Sequence, residues 1–463
     1  MKREYGDSIR FRLLKWLHPL MMLAVFAGFC HLIYFPHYSV DFSWRVQFLI
    51  WISYLLINCN LEKTYHGLSI GLLRITELIY SQTLSSVIST GFMYLVFSLY
   101  KNHFLLFWPL LAILAVQFIF SAGWTLIANA LYYHRYPAPK TALVYRKESD
   151  LYRIESIRYF HDHFDVRKTI ENPDDDAAAI LDQLKDVEVV IAAGINSELR
   201  NCIAKYCVES NITGYFVPHL GDIIMAGAEH MPTFGQPVMQ VRRANVRNEY
   251  IAIKRFLDML ISFLGILIAS PFMLATAIAI KAHDGGPVFY RQTRLTQNGR
   301  PFSILKFRSM KVDAEKDGVA RLASENDQRI TPVGKIIRAI RLDELPQLFN
   351  ILIGDMSLVG PRPERPEIAA EYAQKLPEFS LRLQVKAGLT GMAQVYGRYN
   401  TEPYSKLQMD LMYINQMSLI TDIKLLFYTV KILFVKESTG GIEEGQKNAL
   451  LAGKKAKTER RSA

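Results

Sequence analysis

Long apolar blocks constrain this chain more than any other feature of its sequence. Four of them fill its first third, at 14–35, 40–59, 84–100 and 104–131. A helix that crosses the hydrocarbon core of a bilayer needs about 20 residues. We therefore predict four transmembrane helices in residues 1–135, and a buried soluble helical domain is the alternative interpretation.

The positions of lysine and arginine predict the orientation of these helices. Five basic residues precede the first block, and Lys63 and Arg74 lie between the second and third. Three more follow the fourth block, whereas Arg45 and Lys101 are the basic residues near the other two connections. Basic segments remain on the cytoplasmic side of a membrane. We expect both the N-terminus and everything after residue 135 to be cytoplasmic, with no cleavable signal.

The amino-acid composition limits the kinds of molecule that this chain is expected to bind. The formal charge of +11 suits an anionic partner, either a lipid surface, a nucleic acid or a phosphorylated substrate. The apolar blocks favour the first and third of these, so we expect no nucleic acid. Four scattered cysteines, Cys30, Cys59, Cys202 and Cys207, lack the spacing of a metal site, and we expect them to be reduced.

Residues 136–245 have the pattern of a small parallel α/β domain. Short apolar segments at 141–145, 187–193 and 214–217 alternate with helical ones such as 197–208. A dinucleotide site would need Gly-x-Gly-x-x-Gly directly after the first strand, where residues 145–150 read Tyr-Arg-Lys-Glu-Ser-Asp. We interpret the domain as a degenerate Rossmann-like spacer or regulatory module, and the acidic run at 174–176 as a solvated loop.

A fifth apolar block, at 259–280, differs from the others in its flanks. Lys254 and Arg255 precede it, Lys281 follows it, and Ser270 and Pro271 lie at its centre. Basic residues at both ends predict that both ends are cytoplasmic, and proline bends a helix. We predict a re-entrant helix-turn-helix at about 256–282 that turns at the Ser-Pro pair.

Hydroxyl groups near that turn, such as those of Ser262 and Ser270, are expected to satisfy the carbonyls that proline frees. Asp258 is expected to form an ion pair with Lys254 and Arg255 at the membrane boundary. A kinked fifth span is the alternative, and it would place Asp343 outside the cell.

Two adjacent carboxylates, Asp343 and Glu344, follow Arg341 and precede a Pro361-Arg362-Pro363 turn. A helix at 332–341 would bring Lys335 and Arg338 towards them, and Leu345-Pro346 predicts that they begin a new helix. Further upstream are Arg291, Arg294, Lys306, Arg308 and Arg329. Cations bind phosphate oxygens, and a carboxylate among them is available as a nucleophile or a metal ligand. Taken alone, the Asp-Glu pair also fits a helix cap or a surface.

From Lys254 to Lys436 the chain resembles the polyprenyl-phosphate hexose-1-phosphate transferases, the monotopic phosphoglycosyl transferases. The resemblance rests on eight segments in chain order. They are Lys254-Arg255-x-x-Asp258, Ser270-Pro271, Gly286-Pro287-Val288-Phe289, Lys306-Phe307-Arg308-Ser309-Met310, Leu342-Asp343-Glu344-Leu345-Pro346-Gln347, Gly354-Asp355-Met356-Ser357-Leu358-Val359-Gly360-Pro361-Arg362-Pro363, Gly388-Leu389-Thr390-Gly391 and Gln394-Val395. The apolar start and the α/β domain resemble the large bacterial form of this family.

This resemblance implies a fold and a reaction. The expected architecture is a four-helix transmembrane domain (1–135), the α/β domain (136–245), an α/β catalytic domain with the re-entrant helix (246–436) and a flexible basic tail (437–463). Asp343 would attack the sugar-proximal phosphate of a UDP-sugar and release UMP. Undecaprenyl phosphate would then take the phosphosugar from the aspartate.

The resemblance also implies roles for individual residues. Glu344 is expected to bind Mg²⁺. The expected substrate- and phosphate-binding residues are Arg291, Arg294, Lys306, Arg308, Arg338, Arg341 and Arg362. The residues expected at the membrane boundary are Lys254, Arg255, Asp258, Ser270 and Pro271.

The remaining expectations concern the setting of the enzyme. They are a bacterial inner membrane with the catalytic domain on its cytoplasmic face, a homodimer, and a role in starting capsule or exopolysaccharide assembly. A helix at 418–436 is expected either to lie on the bilayer or to pack on the catalytic domain. Two rival functions stay open, a UDP-releasing glycosyltransferase and a membrane scaffold for glycan assembly. The sequence does not identify the sugar, for which glucose and galactose are our guesses.

Overall fold

A computed structural model describes residues 9–38, 42–71, 73–155, 163–171, 177–233, 236–243, 248–312, 314, 327–397 and 401–433. Contacts along the chain divide it into two compact units, which meet in sequence at Val217 and Pro218. The acidic run at 174–176, most of the polar stretch 311–327 and the tail from 437 lie outside the described residues.

The first unit begins with long apolar helices. They are α1 (Ile9–Phe29), which continues through a π-helical turn Cys30–Tyr34 and a helical turn Phe35–His37, then α2 (Trp44–Thr64), α3 (Ile75–Lys101) and α4 (Phe107–Arg135). Three of these segments are long and apolar enough to cross a membrane, namely Leu13–His37, Ile75–Lys101 and Phe107–Arg135. The prediction of long apolar helices at the N-terminus is thus confirmed for three of the four, which are candidate spans. The predicted second span forms as α2, which is not among these candidates.

Polar side chains connect these helices in their interior. Buried His18 on α1 contacts Glu62 Oε1 on α2 at 2.9 Å and Ser121 Oγ on α4 at 3.0 Å. Buried Gln117 donates to the Tyr54 hydroxyl at 2.8 Å and accepts from Thr90 at 3.0 Å. A buried polar group needs a hydrogen-bond partner, so these side chains join the helices to one another while the outer faces of the helices stay apolar.

The rest of the first unit is a four-stranded parallel sheet with strand order β2-β1-β3-β4. Its strands are β1 (Lys140–Tyr145), β2 (Asp165–Glu171), β3 (Val189–Ala193) and β4 (Thr213–Phe216). The helices α5 (Glu148–Glu155), α6 (Ala177–Gln183) and α7 (Ser197–Ser210) alternate with them. The predicted parallel α/β domain is confirmed, and β2 is the strand that the apolar pattern did not reveal. It lies at one edge of the sheet, and its alternating burial shows that one of its faces is exposed.

The second unit opens with α8 (Leu220–Ala226) and an antiparallel hairpin of β5 (Glu229–Thr233) and β6 (Gln236–Gln240). The long helix α9 (Asn248–Asp284) follows, and it is the fourth candidate that is long and apolar enough to cross a membrane. The helix is continuous through Ser270 and Pro271, so any change of direction there is a bend within one helix and not a separate turn.

The hydroxyl group of Ser270 compensates for the proline. Pro271 has no N–H, so the carbonyl four residues earlier, that of Leu267, loses its helical partner. Ser270 Oγ donates to this carbonyl at 2.8 Å. The expectation that Ser270 would satisfy a freed carbonyl is confirmed. The Ser262 hydroxyl is buried, and among the described residues it has no hydrogen-bond partner.

The body of the second unit is built from short elements around one apolar core. They are the hairpin β7 (Phe289–Leu295) and β8 (Pro301–Phe307), α10 (Pro332–Ala339), α11 (Gln347–Ile353), β9 (Ser357–Val359), α12 (Pro366–Lys375), the 3₁₀ segment Pro377–Gln384, β10 (Gly388–Thr390), α13 (Met392–Tyr396), α14 (Pro403–Asn415) and α15 (Leu419–Leu433). Ile351, Met356 and Leu407 are fully buried at its centre. Leu425 of α15 belongs to the same core, whereas Ile420 and Ile423 are exposed.

Candidate active site

Asp343 and Glu344 lie in a 3₁₀ turn, Leu342–Glu344, between α10 and α11. The preceding residue, Arg341, has a left-handed backbone with φ of 58°, which reverses the chain after α10. Pro346 precedes the first turn of α11, as the sequence predicted, but the carboxylates stand one turn before that helix and not within it. Leu342 and Leu345 both pack against a cluster of buried side chains. This packing fixes the turn that carries the two acids.

Glu344 is surrounded by cations. Its Oε1 accepts from Lys306 Nζ at 2.8 Å and from Arg362 Nη2 at 3.0 Å, and Arg341 Nη1 lies 4.0 Å from Oε2. Burial alone would raise the pKa of this carboxyl, but Lys306, Arg362 and Arg341 outweigh burial and hold its pKa well below the usual range. Glu344 is therefore an anion at any physiological pH.

Asp343 has the opposite electrostatic character. Its Oδ1 is buried and has no hydrogen-bond partner among the described residues. Burial, followed by repulsion from Glu344, raises its pKa above the usual range, although Lys306, Arg338 and Arg341 oppose the shift. Adjacent carboxylates whose pKa values are pushed apart take different roles in catalysis. The available oxygen and the destabilised anion suit Asp343 as the reactive group.

Hydrogen bonds to main-chain carbonyls hold the Pro361-Arg362-Pro363 turn in place. Three successive carbonyls accept hydrogen bonds: that of Arg362 from Arg382 Nη2 at 2.9 Å, that of Pro363 from Arg294 Nη1 at 3.1 Å, and that of Glu364 from the Leu295 N–H at 3.0 Å. These bonds fix the backbone from which the Arg362 side chain reaches Glu344.

Three glycines allow the neighbouring backbones to pack closely. A Cβ on Gly360 would lie 2.4 Å from the Lys386 carbonyl, and one on Gly388 would lie 2.1 Å from the Gly360 N. A Cβ on Gly391 would lie 2.1 Å from the Gly360 carbonyl oxygen. No side chain fits at these positions, and this explains physically why the two motifs have glycine there.

The structure places the predicted cations in three groups. Lys306, Arg341 and Arg362 surround Glu344, and Arg338 acts electrostatically on Asp343. Arg294 supports the Pro-Arg-Pro turn, and burial lowers its pKa to about 10. The others lie elsewhere: Arg308 is buried against Asp284, Arg329 pairs with Asp327, and both Arg291 and Lys335 are exposed.

The residues expected at the membrane boundary attach α9 to the body. Lys254 Nζ contacts Asp422 at 2.7 Å, and Arg255 donates to the carbonyls of Ile351 and Leu352 at the end of α11. The expected ion pair of Asp258 with Lys254 and Arg255 does not form. Asp258 instead accepts from the Ser357 hydroxyl at 2.8 Å and the Leu358 N–H at 3.1 Å, because both cations are engaged elsewhere.

Sequence reasoning missed a second group of charges behind Arg362. Arg382 pairs with Asp410 at 2.7 Å and lies 3.7 Å from Glu364, and all three are largely buried. Burial would raise the pKa of Glu364, but Lys406, Arg382 and Arg294 hold it below its usual value. These residues belong to no local motif, and the only available signal was charge in otherwise apolar segments.

The two carboxylates fit a magnesium ion. Mg²⁺ is commonly held by one or two carboxylates together with water and substrate phosphates. The unpartnered Oδ1 of Asp343 and the Oε2 of Glu344 are suitable oxygens. Among the described residues, no group of three or more His, Cys, Asp or Glu side chains is placed to hold a metal. The remaining ligands would therefore come from water and substrate.

Carboxylates set among cations, on a domain joined to a long apolar helix, suit a membrane-associated protein that acts on phosphorylated substrates. The family model described as bacterial sugar transferase matches residues 249–436. A UDP-glucose:undecaprenyl-phosphate glucose-1-phosphate transferase of Caulobacter vibrioides is 42% identical over 190 residues, which are 40% of this chain and 71% of that protein. The chain belongs to the bacterial sugar transferase family.

Two longer relatives match over the same region. The UDP-N-acetylgalactosamine-undecaprenyl-phosphate N-acetylgalactosaminephosphotransferase of Aeromonas hydrophila is 42% identical over 187 residues, 40% of this chain and 44% of that protein. A UDP-glucose:undecaprenyl-phosphate glucose-1-phosphate transferase of Klebsiella pneumoniae is 39% identical over 209 residues, 44% of this chain and 45% of that protein. The chain therefore matches a little under half the length of these two relatives.

Proposed function

We propose that this chain transfers a sugar 1-phosphate from a UDP-sugar to undecaprenyl phosphate, giving undecaprenyl-diphosphate-sugar and UMP. The observation that carries the proposal is the Asp343–Glu344 pair, with opposite pKa shifts and with Lys306, Arg362 and Arg341 around it. The relatives' names supply the donor and acceptor classes.

The reaction has two displacements at one phosphorus atom. An oxygen of the Asp343 carboxylate attacks the sugar-proximal phosphorus of the UDP-sugar, and the bond to the bridging oxygen breaks as UMP leaves. A phosphate oxygen of undecaprenyl phosphate then attacks the same phosphorus, and the Asp343 carboxylate is released. Both steps bring anions together, and the cations around Glu344 reduce the repulsion.

Magnesium, held by Glu344 with Asp343 beside it, would supply further neutralisation of phosphate charge. We assign the binding of phosphate oxygens to Arg362 and Lys306, which both contact Glu344 directly. We assign Arg338 and Arg341 to the same surface because both act on Asp343 electrostatically. Arg294 and Arg308 are assigned supporting positions, and Arg291 remains the exposed candidate for the nucleotide.

We propose that α9 is re-entrant and does not span the bilayer. Arg255 and Asp258, near its start, contact α11 and β9, whereas Ile280, near its end, belongs to a cluster with Phe307 and Ile337. In a spanning helix the two ends lie on opposite sides of about 30 Å of hydrocarbon, and one folded body would not reach both. Its outer face is apolar, with Leu267, Ile268 and Phe272 each more than 60% exposed, and this face suits lipid.

This arrangement supports a cytoplasmic catalytic domain at the inner face of a bacterial membrane. There a carboxylate meets a nucleotide sugar from water and an isoprenoid phosphate from the bilayer.

We further propose that the reaction is the first membrane step of exopolysaccharide or capsule assembly, that residues 136–245 form a regulatory or spacer domain, and that the enzyme works as a homodimer.

A panel of UDP-sugars tests the reaction. UDP-glucose, UDP-galactose and UDP-N-acetylgalactosamine would each be incubated with the protein and undecaprenyl phosphate in nanodiscs, and the nucleotide product identified. Release of UMP supports the proposal, whereas release of UDP would favour the glycosyltransferase.

Asp343→Asn is expected to abolish UMP release and trapping of a radiolabelled phosphosugar on the protein, with Asp355→Asn as the matched control. Glycan assembly that survives Asp343→Asn would favour the scaffold.

Topology is tested separately. The variants Glu249→Cys and His283→Cys, in sealed membrane vesicles of one orientation, are both expected to react with a membrane-impermeant thiol reagent applied to the cytoplasmic face. Labelling of the two positions from opposite faces would show that α9 spans the bilayer.

A further inference from the structure

The support beneath Arg362 is a buried ion pair far from it in sequence. Nε and Nη2 of Arg382 both reach Asp410 Oδ2 at 2.7 Å, and Nη2 also donates to the Arg362 carbonyl at 2.9 Å. The guanidinium lies over the Phe379 ring at 4.9 Å. Asp410 and Phe379 together fix the plane of Arg382, so the direction of its bond to the Arg362 backbone is fixed as well.

Packing alone does not account for this pair. Arg382 and Asp410 are 3% and 1% exposed. Taking two charges out of water offsets most of their attraction, and apolar side chains of similar size are often at least as stabilising. The Arg382 guanidinium also donates to the main-chain carbonyl of Arg362. The pair is therefore better explained by the position in which it holds the Arg362 backbone.

The Arg362 side chain depends on this support for its position. It is 42% exposed and reaches Glu344 from a turn whose carbonyls are held from behind. A shift of that backbone moves the guanidinium relative to Glu344 and to any phosphate bound there. Displacements of about 1 Å are enough to reduce a reaction rate about a hundredfold.

We propose that Arg382, oriented by Asp410, is a positioning residue that holds the main chain beneath Arg362 and so sets where this guanidinium meets the phosphates of the UDP-sugar. This inference rests on the proposed function. In this proposal Arg382 acts through Arg362, whose carbonyl it contacts.

A double-mutant cycle tests the proposal. Arg382→Lys keeps the charge, but one ammonium group cannot reproduce the fixed fork that bridges Asp410 and the carbonyl. We expect kcat/KM for the UDP-sugar to fall about tenfold to a hundredfold, with KM for undecaprenyl phosphate unchanged. In an Arg362→Ala background the same substitution is expected to cost less than about twofold, because the residue it positions is gone.

The control is Arg300→Lys, which alters an exposed pair with Asp355 in the same domain and is expected to leave the kinetics unchanged in both backgrounds. Asp410→Asn repeats the cycle if Arg382→Lys does not fold. Equal losses in the two backgrounds, or wild-type kinetics for Arg382→Lys, would overturn the inference while leaving the proposed function intact. A wild-type protein that releases no UMP from any UDP-sugar would refute the proposed function, and the inference with it.

Discussion

Replacing the Asp343 carboxylate should stabilise the protein. Asp343→Asn removes a negative charge that is buried beside Glu344 and has an oxygen without a partner among the described residues. An unsatisfied buried polar group costs about 1–3 kcal/mol, and more when it is charged. We therefore expect Asp343→Asn to raise the free energy of unfolding at neutral pH by about 1–3 kcal/mol. In a domain of this size each kcal/mol corresponds to about 2–4 °C in melting temperature.

The pH dependence of this gain follows from the raised pKa of Asp343. The folded protein holds the Asp343 proton more tightly than the unfolded chain does, for which the ordinary value is 3.8. As the pH rises from that value through the folded pKa, ionisation of Asp343 progressively destabilises the wild type. Asparagine does not ionise, so its advantage should be absent at the acidic end of this window and complete above it.

Thermal unfolding in nanodiscs from pH 4 to pH 8, with EDTA present to exclude divalent metals, measures the effect. Asp355→Asn is the control, because its surface pair with Arg300 makes changes beyond about 0.5 kcal/mol unexpected. An Asp343→Asn protein that is less stable than wild type at pH 8, or one whose gain does not vary with pH, would refute the reasoning. Magnesium should stabilise the wild type more than the variant if the carboxylates hold it.

Three other substitutions test the framework around the site. Ser270→Ala leaves the Leu267 carbonyl without its hydroxyl donor and should cost about 1 kcal/mol in thermal unfolding, because a typical hydrogen bond contributes that much. Gly360→Ala places a Cβ 2.4 Å from the Lys386 carbonyl, so it should lower both the melting temperature and UMP release. Arg255→Ala removes both donors to the last carbonyls of α11 and should destabilise the protein by about 1–3 kcal/mol, measured by thermal unfolding.

Local sequence patterns were sufficient for the elements that carry the site. The apolar block after Arg255 is helical as expected, although it forms one continuous helix and not two helices joined by a turn, and α10 begins at Pro332 as expected. Each of these features depends on residues within a few positions of one another, where sequence and conformation are directly coupled.

Partners far apart in sequence could not be assigned in this way. Asp258 was matched with its neighbours Lys254 and Arg255, but its hydrogen bonds go to a segment about a hundred residues later. Arg382 and Asp410 gave no local signal because their roles arise from contacts with the Arg362 backbone. The different characters of Asp343 and Glu344 also required the fold, since only the position of surrounding cations distinguishes two adjacent acids.

The long helix α9 contacts three segments next to the candidate site. Arg255 holds the end of α11, the helix that directly follows the carboxylate pair. Asp258 holds β9, the strand that leads into the Pro-Arg-Pro turn. Near the other end of α9, Ile280 shares a cluster with Leu342, which precedes Asp343. If α9 is re-entrant as we propose, its depth in the bilayer sets the height of Asp343, and a lipid phosphate is accessible only at the boundary between water and hydrocarbon.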